Sequence, residues 1–281
     1  MSTNYLFTDD HTRLQLIKSC GGSTIFNWLF LPGGPGCDSN YLLPLVNQLE
    51  LPGNSWLVDL PNNGSNLLTD HQANFQFDTW RESLITLIKN FPTPILVGHS
   101  FGGIFPLLLP ELEEWLHGLV ILNGAPCDWQ AEVGKLINEH GLPSTLEEAV
   151  AFQTQPSDET LKQLVLASSP YSFHPDWLQE GKLILEKMTL NYHATLWWLS
   201  MNAQKTFAAQ WVPQKIPTLL LGGSHDFTVP CSLFEQDKRF HRDNIHLVRI
   251  ENAGHCPWLE KREEVHTAFQ AFLDFINKLK I

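Results

Sequence analysis

The sequence predicts an α/β domain, a mostly parallel sheet flanked by helices and interrupted by a helical lid insertion, on three observations. Over residues 1–126 and 213–281, apolar runs of strand length alternate with stretches whose apolar residues recur at helical spacing. Over 127–212 that alternation stops, helical patterns dominate and aromatics such as Trp129, Phe152, Trp197 and Trp198 crowd in. The run Ile95-Leu96-Val97 breaks into Gly98-His99-Ser100-Phe101-Gly102-Gly103, a G-x-S-x-G that reads as a sharp turn from strand to helix.

Taken in order, Tyr5–Phe7 and Leu14–Ile17 read as a hairpin around the turn-forming Asp9-Asp10-His11-Thr12. Thr24–Leu31 is a nearly continuous apolar strand, the pattern of one covered on both faces. It ends in Pro32-Gly33-Gly34-Pro35-Gly36, an irregular loop, after which Asp38 or Ser39 caps a helix carrying Leu42, Leu45, Val46 and Leu49. Ser55–Val58 is the next strand. Thr79 and Glu82 form a capping-box pattern before a helix with Trp80, Leu84, Leu87, Ile88 and Phe91 on its core stripe. The serine turn opens an apolar helix through Ile104–Leu109, and Leu119–Leu122 is another buried strand. After the insertion, strands at 217–223 and 245–250 end in Ser224-His225-Asp226 and Asn252-Ala253-Gly254-His255. An amphipathic helix with Val265, Phe269, Phe272, Ile276 and Leu279 closes the chain.

Composition narrows the classes. At 281 residues and 43% hydrophobic, the chain can bury a large core, and a net charge of −12 disfavours nucleic acid and anionic membrane as partners. Neither a long apolar span nor a signal-type leader is visible, so a soluble, cytoplasmic protein is expected. Five scattered cysteines fit neither a disulfide framework nor a zinc pattern and are expected to be free thiols. The sequence leaves oligomeric state open.

Glycine and serine are common enough for G-x-S-x-G to arise by chance, so the motif needs chemical partners. A serine hydroxyl is a poor nucleophile until a base takes its proton and a third group orients that base. Ser100, Asp226 and His255 all fall at the carboxyl ends of predicted parallel strands, where functional groups gather in open sheets. Asp128, after the strand ending at Leu122, is a rival for the acid, but Asp226 fits the later strand-end motif better. The turn also leaves the Phe101 N–H free to donate to a developing oxyanion.

Gly98–Gly103, Gly222–Asp226 with Val229-Pro230, and Gly254-His255-Cys256-Pro257 together resemble the α/β-hydrolase superfamily over nearly the whole chain except the insertion. Pro32–Gly36 followed by Tyr41–Leu45 resembles the H-G-G-P-G loop of its proline-iminopeptidase-like branch, which implies a second oxyanion donor at the Gly34 N–H. Pro32 and Asn63 both stand where relatives carry histidine. The resemblance implies an α/β-hydrolase fold and metal-free, cofactor-free hydrolysis of a small-molecule acyl ester or amide, under a lid formed by 127–212. A proline-iminopeptidase-like activity and an idle ligand-binding protein are the alternatives. The first requires lid carboxylates around a free ammonium; the ten acids and five lysines of the insertion match no such motif.

Overall fold

The structure, a computed structural model, describes residues 5–21, 26–68 and 77–279. Eight strands form one sheet: β1 (Leu6–Phe7), β2 (Arg13–Cys20), β3 (Asn27–Leu31), β4 (Gly53–Asp59), β5 (Pro94–His99), β6 (Gly118–Leu122), β7 (Thr218–Gly223) and β8 (Ile245–Ile250). Their order is β1-β2-β4-β3-β5-β6-β7-β8. The opening hairpin forms as expected, and β2 pairs antiparallel with β4. From β4 onward each pairing is parallel. Of the expected strand from Thr24, Thr24 and Ile25 lie outside the described residues, and the strand itself begins at Asn27.

The continuous apolar runs follow from burial on two faces. Trp28 and Phe30 of β3, Ile95 and Val97 of β5, and Val120 and Leu122 of β6 join one core cluster. Their immediate neighbours Leu29, Leu31, Leu96, Leu119 and Ile121 join the other, as side chains alternating along a strand must. Helix α1 (Leu43–Gln48) lies over the first face with the closing helix, and α2 (Trp80–Asn90) covers the second. The closing helix buries Val265, Phe269, Phe272 and Ile276, as its periodicity predicts; the Leu279 side chain lies outside the described residues. Truncating a ring such as Phe269 here would cost ~3–5 kcal/mol.

Two local expectations fail. Thr79 makes no side-chain capping bond to α2, because the 3-10 turn Phe77–Thr79 already holds it in helical backbone and leads straight into the helix. The helix after the serine, α3 (Phe101–Ile104), lasts four residues before Phe105–Leu108 tightens into a 3-10 turn. Pro106, which has no N–H to give, sits at the start of that turn.

The segment 127–212 holds six α-helices and no strand: α4 (Gln130–His140), α5 (Leu146–Thr154), α6 (Asp158–Ala167), α7 (Ser169–Ser172), α8 (Leu178–Lys187) and α9 (Tyr192–Gln204). An isolated bridge between Cys127 and Ala208 joins its two ends. Helix α4 buries no residue, whereas Trp198 of α9 packs edge-on to Phe101 with ring centroids 5.1 Å apart. Three shorter or later helices complete the fold: α10 (Ser232–Gln236), α11 (Pro257–Glu260) and α12 (Arg262–Leu279). No described helix is long and apolar enough to cross a membrane.

Candidate active site

Strand β5 runs through the middle of the sheet and delivers Ser100 at its carboxyl end. The serine backbone sits at φ 53° and ψ −122°, a strained conformation for a residue with a side chain. The turn closes so tightly that a Cβ on Gly98 would fall 2.0 Å from the Gly102 carbonyl oxygen. That is why the motif demands glycine two residues before the serine. Ser100 N–H still bonds to the Leu122 carbonyl of the neighbouring strand at 2.8 Å, so the sheet ladder holds the serine's own backbone.

Asp226 follows β7 and His255 follows β8, and the two meet: His255 Nδ1 lies 2.8 Å from Asp226 Oδ2. A carboxylate only accepts, so Nδ1 carries the hydrogen and Nε2 keeps its lone pair. The Asp226 side chain is fully buried, and its other oxygen accepts from the Thr228 and Val229 N–H groups, both at 2.9 Å. With the Asn123 side-chain amide, which also donates to it, four donors offset the desolvation of this charge. Asp128 is not brought here; its carboxylate accepts from Gln130 N–H at the start of α4.

Ser100 and His255 line one cavity but share no hydrogen bond in this structure. Such contacts are commonly loose in enzymes without substrate. The Pro32–Gly36 loop lies against the serine: a Cβ on Gly33 would come within 2.8 Å of Ser100 Cβ and 3.3 Å of its Oγ. Neither the Gly34 N–H nor the Phe101 N–H donates to any acceptor among the described residues. Asn63, standing where relatives have histidine, pins this loop with both ends of its amide. It accepts from Gly36 N–H at 3.1 Å and donates to the Cys37 carbonyl at 2.7 Å.

The cavity encloses about 240 Å³. Its roof is aliphatic, with Leu164 and Val165 from α6, Ile184 and Leu185 from α8, and Met188 just beyond. The large aromatics of the insertion do not line it; Phe152, Tyr171, Phe173, Trp198 and Trp211 are buried in the packing instead. Among the described residues that line it there is no Asp, Glu, Lys or Arg. Cys37 and Cys256 are free thiols in the wall, and burial pushes the Cys37 thiol up to about 12, so it stays protonated and inert.

Helix α7 ties the insertion to the Asp226 and His255 loops. His255 N–H donates to the Ser172 carbonyl at 2.6 Å, Phe227 N–H to Tyr171 at 2.9 Å, and the Ser172 and Thr228 hydroxyls lie 2.8 Å apart. Glu260 spans the same seam, accepting from Gly254 N–H at 2.5 Å and from His174 N–H at 3.3 Å.

A model described as the alpha/beta hydrolase family matches residues 28–268. The chain belongs to this family. The α/β hydrolase is 23% identical over 253 residues to a pimeloyl-[acyl-carrier protein] methyl ester esterase of Xylella fastidiosa strain M23, covering 87% of this chain and 94% of that protein. Among solved structures, an alpha/beta fold family hydrolase from Bacillus anthracis strain Sterne superposes with a TM-score of 0.69 at 16% identity, covering 96% of this chain and 99% of that one. A proline iminopeptidase-related protein from Thermus thermophilus gives 0.66 at 18%, covering 99% of this chain and 100% of that one. Both likenesses are likenesses of fold.

Four residues around this α/β hydrolase's site escape sequence reasoning as site residues. Asn123, just past the end of β6, has a φ of 50° and donates to Asp226. Tyr41 and His99 line the cavity beside Ser100, and Glu260 holds the histidine loop. For His99 and Asn123 the only sequence signal is position, inside the serine motif and at a strand end. Tyr41 follows the glycine loop and Glu260 follows His255.

Proposed function

We propose that this α/β hydrolase cleaves small, uncharged acyl esters, with amides as poorer substrates, through an acyl-serine intermediate, and that residues 127–212 form the lid over its site. The observation that carries this reading is the Asp226–His255 bond, which leaves His255 Nε2 unengaged in the cavity that Ser100 shares. In the reaction Ser100 Oγ attacks the acyl carbon as His255 Nε2 takes the hydroxyl proton, and Asp226 stabilises the imidazolium so formed. The Gly34 and Phe101 N–H groups donate to the oxyanion. Collapse expels the alcohol, which leaves with the proton from His255, and water then hydrolyses the acyl-serine by the same route.

The walls support an ester with an apolar acyl chain. A cavity of about 240 Å³ falls below the ~300–1,000 Å³ of drug-sized sites, which suits a short or medium chain. Placing a free ammonium there without a carboxylate partner would cost several kcal/mol, so the aminopeptidase alternative lacks its counter-charge. The Xylella fastidiosa relative is a methyl ester esterase, which supports the same choice.

The deciding experiment compares kcat/KM on a p-nitrophenyl ester and on a prolyl-arylamide, the latter with its amine free and acetylated. The expected result is ester turnover with weak or no amide release. Efficient cleavage of the free-amine amide, lost on acetylation, would establish the aminopeptidase instead. A fluorophosphonate probe that never labels Ser100 would favour a binding protein without turnover.

A further inference from the structure

Beside the triad, a buried chain of hydrogen bonds runs from the glycine loop to the histidine loop. Gly33 N–H donates to Tyr41 Oη at 2.7 Å, and Tyr41 Oη lies 2.7 Å from His99 Nδ1. His99 Nε2 lies 2.8 Å from the carbonyl oxygen of His255. That carbonyl can only accept, so His99 Nε2 carries the hydrogen and Nδ1 is the lone-pair side. Tyr41 must then donate to Nδ1 while its oxygen accepts from Gly33. One arrangement of protons satisfies every link.

We propose that Tyr41 and His99 are positioning residues that hold the oxyanion loop and the His255 loop at a fixed separation across Ser100, a reading that rests on the serine-hydrolase function above. Three backbone segments that share no strand pairing converge on the reacting atoms: the Gly33–Gly34 loop, the serine turn and the His255 loop. His99 belongs to the turn itself, one residue before Ser100, and Tyr41 links it to the loop that carries Gly34. The ring of His99 lies 4.6 Å from that of His255 and 4.8 Å from that of Trp258, meeting the latter at 90°. It is thus clamped as well as hydrogen-bonded.

Burial holds the protons in place. It drives His99 well below, and Tyr41 well above, their ordinary titration ranges, so neither changes charge at working pH. Neutrality matters beyond order. A second positive ring beside His255 would oppose the imidazolium that forms there on attack.

The test begins with the wild-type enzyme. Nitrogen-15 NMR of labelled histidine should show His99 as a neutral Nε2–H tautomer with no titration between about pH 5 and about 8. The opposite tautomer, or a titrating His99, overturns the proposal. Tyr41→Phe keeps the ring and removes only the linking oxygen. Its kcat on a p-nitrophenyl ester should fall about 10- to 100-fold with KM changed less than about twofold, as expected for misplacement of reacting groups. An alkylboronic acid, which forms a tetrahedral adduct on Ser100, should bind more weakly by a similar factor, while the carboxylic acid product binds as before. A purely structural role would lower Tm without that split, and wild-type kcat and boronate affinity in Tyr41→Phe would also overturn the proposal. If wild-type protein neither labels with fluorophosphonate nor turns over ester, the proposed function fails, and the tautomer of His99 still decides whether the chain of bonds exists.

Discussion

Asn123 Nδ2 donates at 2.7 Å to the same Asp226 oxygen that His255 Nδ1 approaches at 2.8 Å. The Asn123 amide also reaches the Gly254 carbonyl at 3.2 Å, so one side chain just beyond β6 fixes both Asp226 and the loop that carries His255. Asn123→Gly tolerates the positive φ and isolates the lost hydrogen bonds. Its stability should fall by ~1.5–3 kcal/mol, the worth of a bond to a charged group. Its kcat should fall about tenfold, equivalent to ~1.4 kcal/mol. Urea unfolding and ester kinetics on the same variant check both.

Asp226→Asn should lower kcat by about 10⁴-fold, because an amide in place of the carboxylate favours the wrong imidazole tautomer and cannot stabilise the imidazolium. Asp128→Asn, at a position that only turns the chain into α4, should stay within ~0.5 kcal/mol of wild type in stability and keep its kcat. The reverse ranking in purified protein would transfer the acid role to Asp128.

Glu260 supplies a pH dependence of stability. Burial raises its carboxyl to about 7, against the pull of the two backbone donors that favour the charged form. The folded protein therefore holds a proton that the unfolded chain has released above its ordinary value of ~4.3. This contribution is fully present below that value and is lost as pH rises to about 7. The urea midpoint should accordingly decline across that window in wild type, and Glu260→Gln, which cannot ionise, should flatten this component of the slope. An unchanged slope would assign the dependence elsewhere.

Met188 lies in the roof of the cavity beyond the end of α8. Met188→Ala should lengthen the space available to the acyl chain. The ratio of kcat/KM for octanoyl over butanoyl p-nitrophenyl esters should rise about tenfold, the scale of one or two methylenes in an apolar pocket. A chain-length series that does not move would place the acyl group elsewhere.

The strands and the serine turn are legible in the sequence because their constraints are local. Two-faced burial writes continuous apolar runs such as Trp28–Leu31, and a turn that brings Gly98 against Gly102 writes its glycines into six consecutive residues. Asp226 and His255 are legible as strand-end residues, each followed by the proline expected nearby. The support around them is not. Tyr41 meets His99 across 58 residues, Asn123 meets Asp226 across 103, and His99 meets His255 across 156. No spacing rule links such partners. The local Thr79–Glu82 pattern misleads for the converse reason: a 3-10 turn upstream supplies the helix start that the pattern implies a side chain must supply. The identity of the roof is hidden as well, since the largest aromatics fill packing space while smaller aliphatic residues of α6 and α8 face the cavity.

The bonds from α7 to His255 and Phe227 change what opening this site means. Swinging α7 and the helices around it away as a rigid flap would tear the Ser172 carbonyl from the backbone amide of His255. Under the proposed function, an assembled pocket and a fully uncovered one would then be different states of the chain. If the proposed function holds, a conformer with α7 lifted away would leave the His255 loop without its bond to Ser172 and Ser100 without a seated partner.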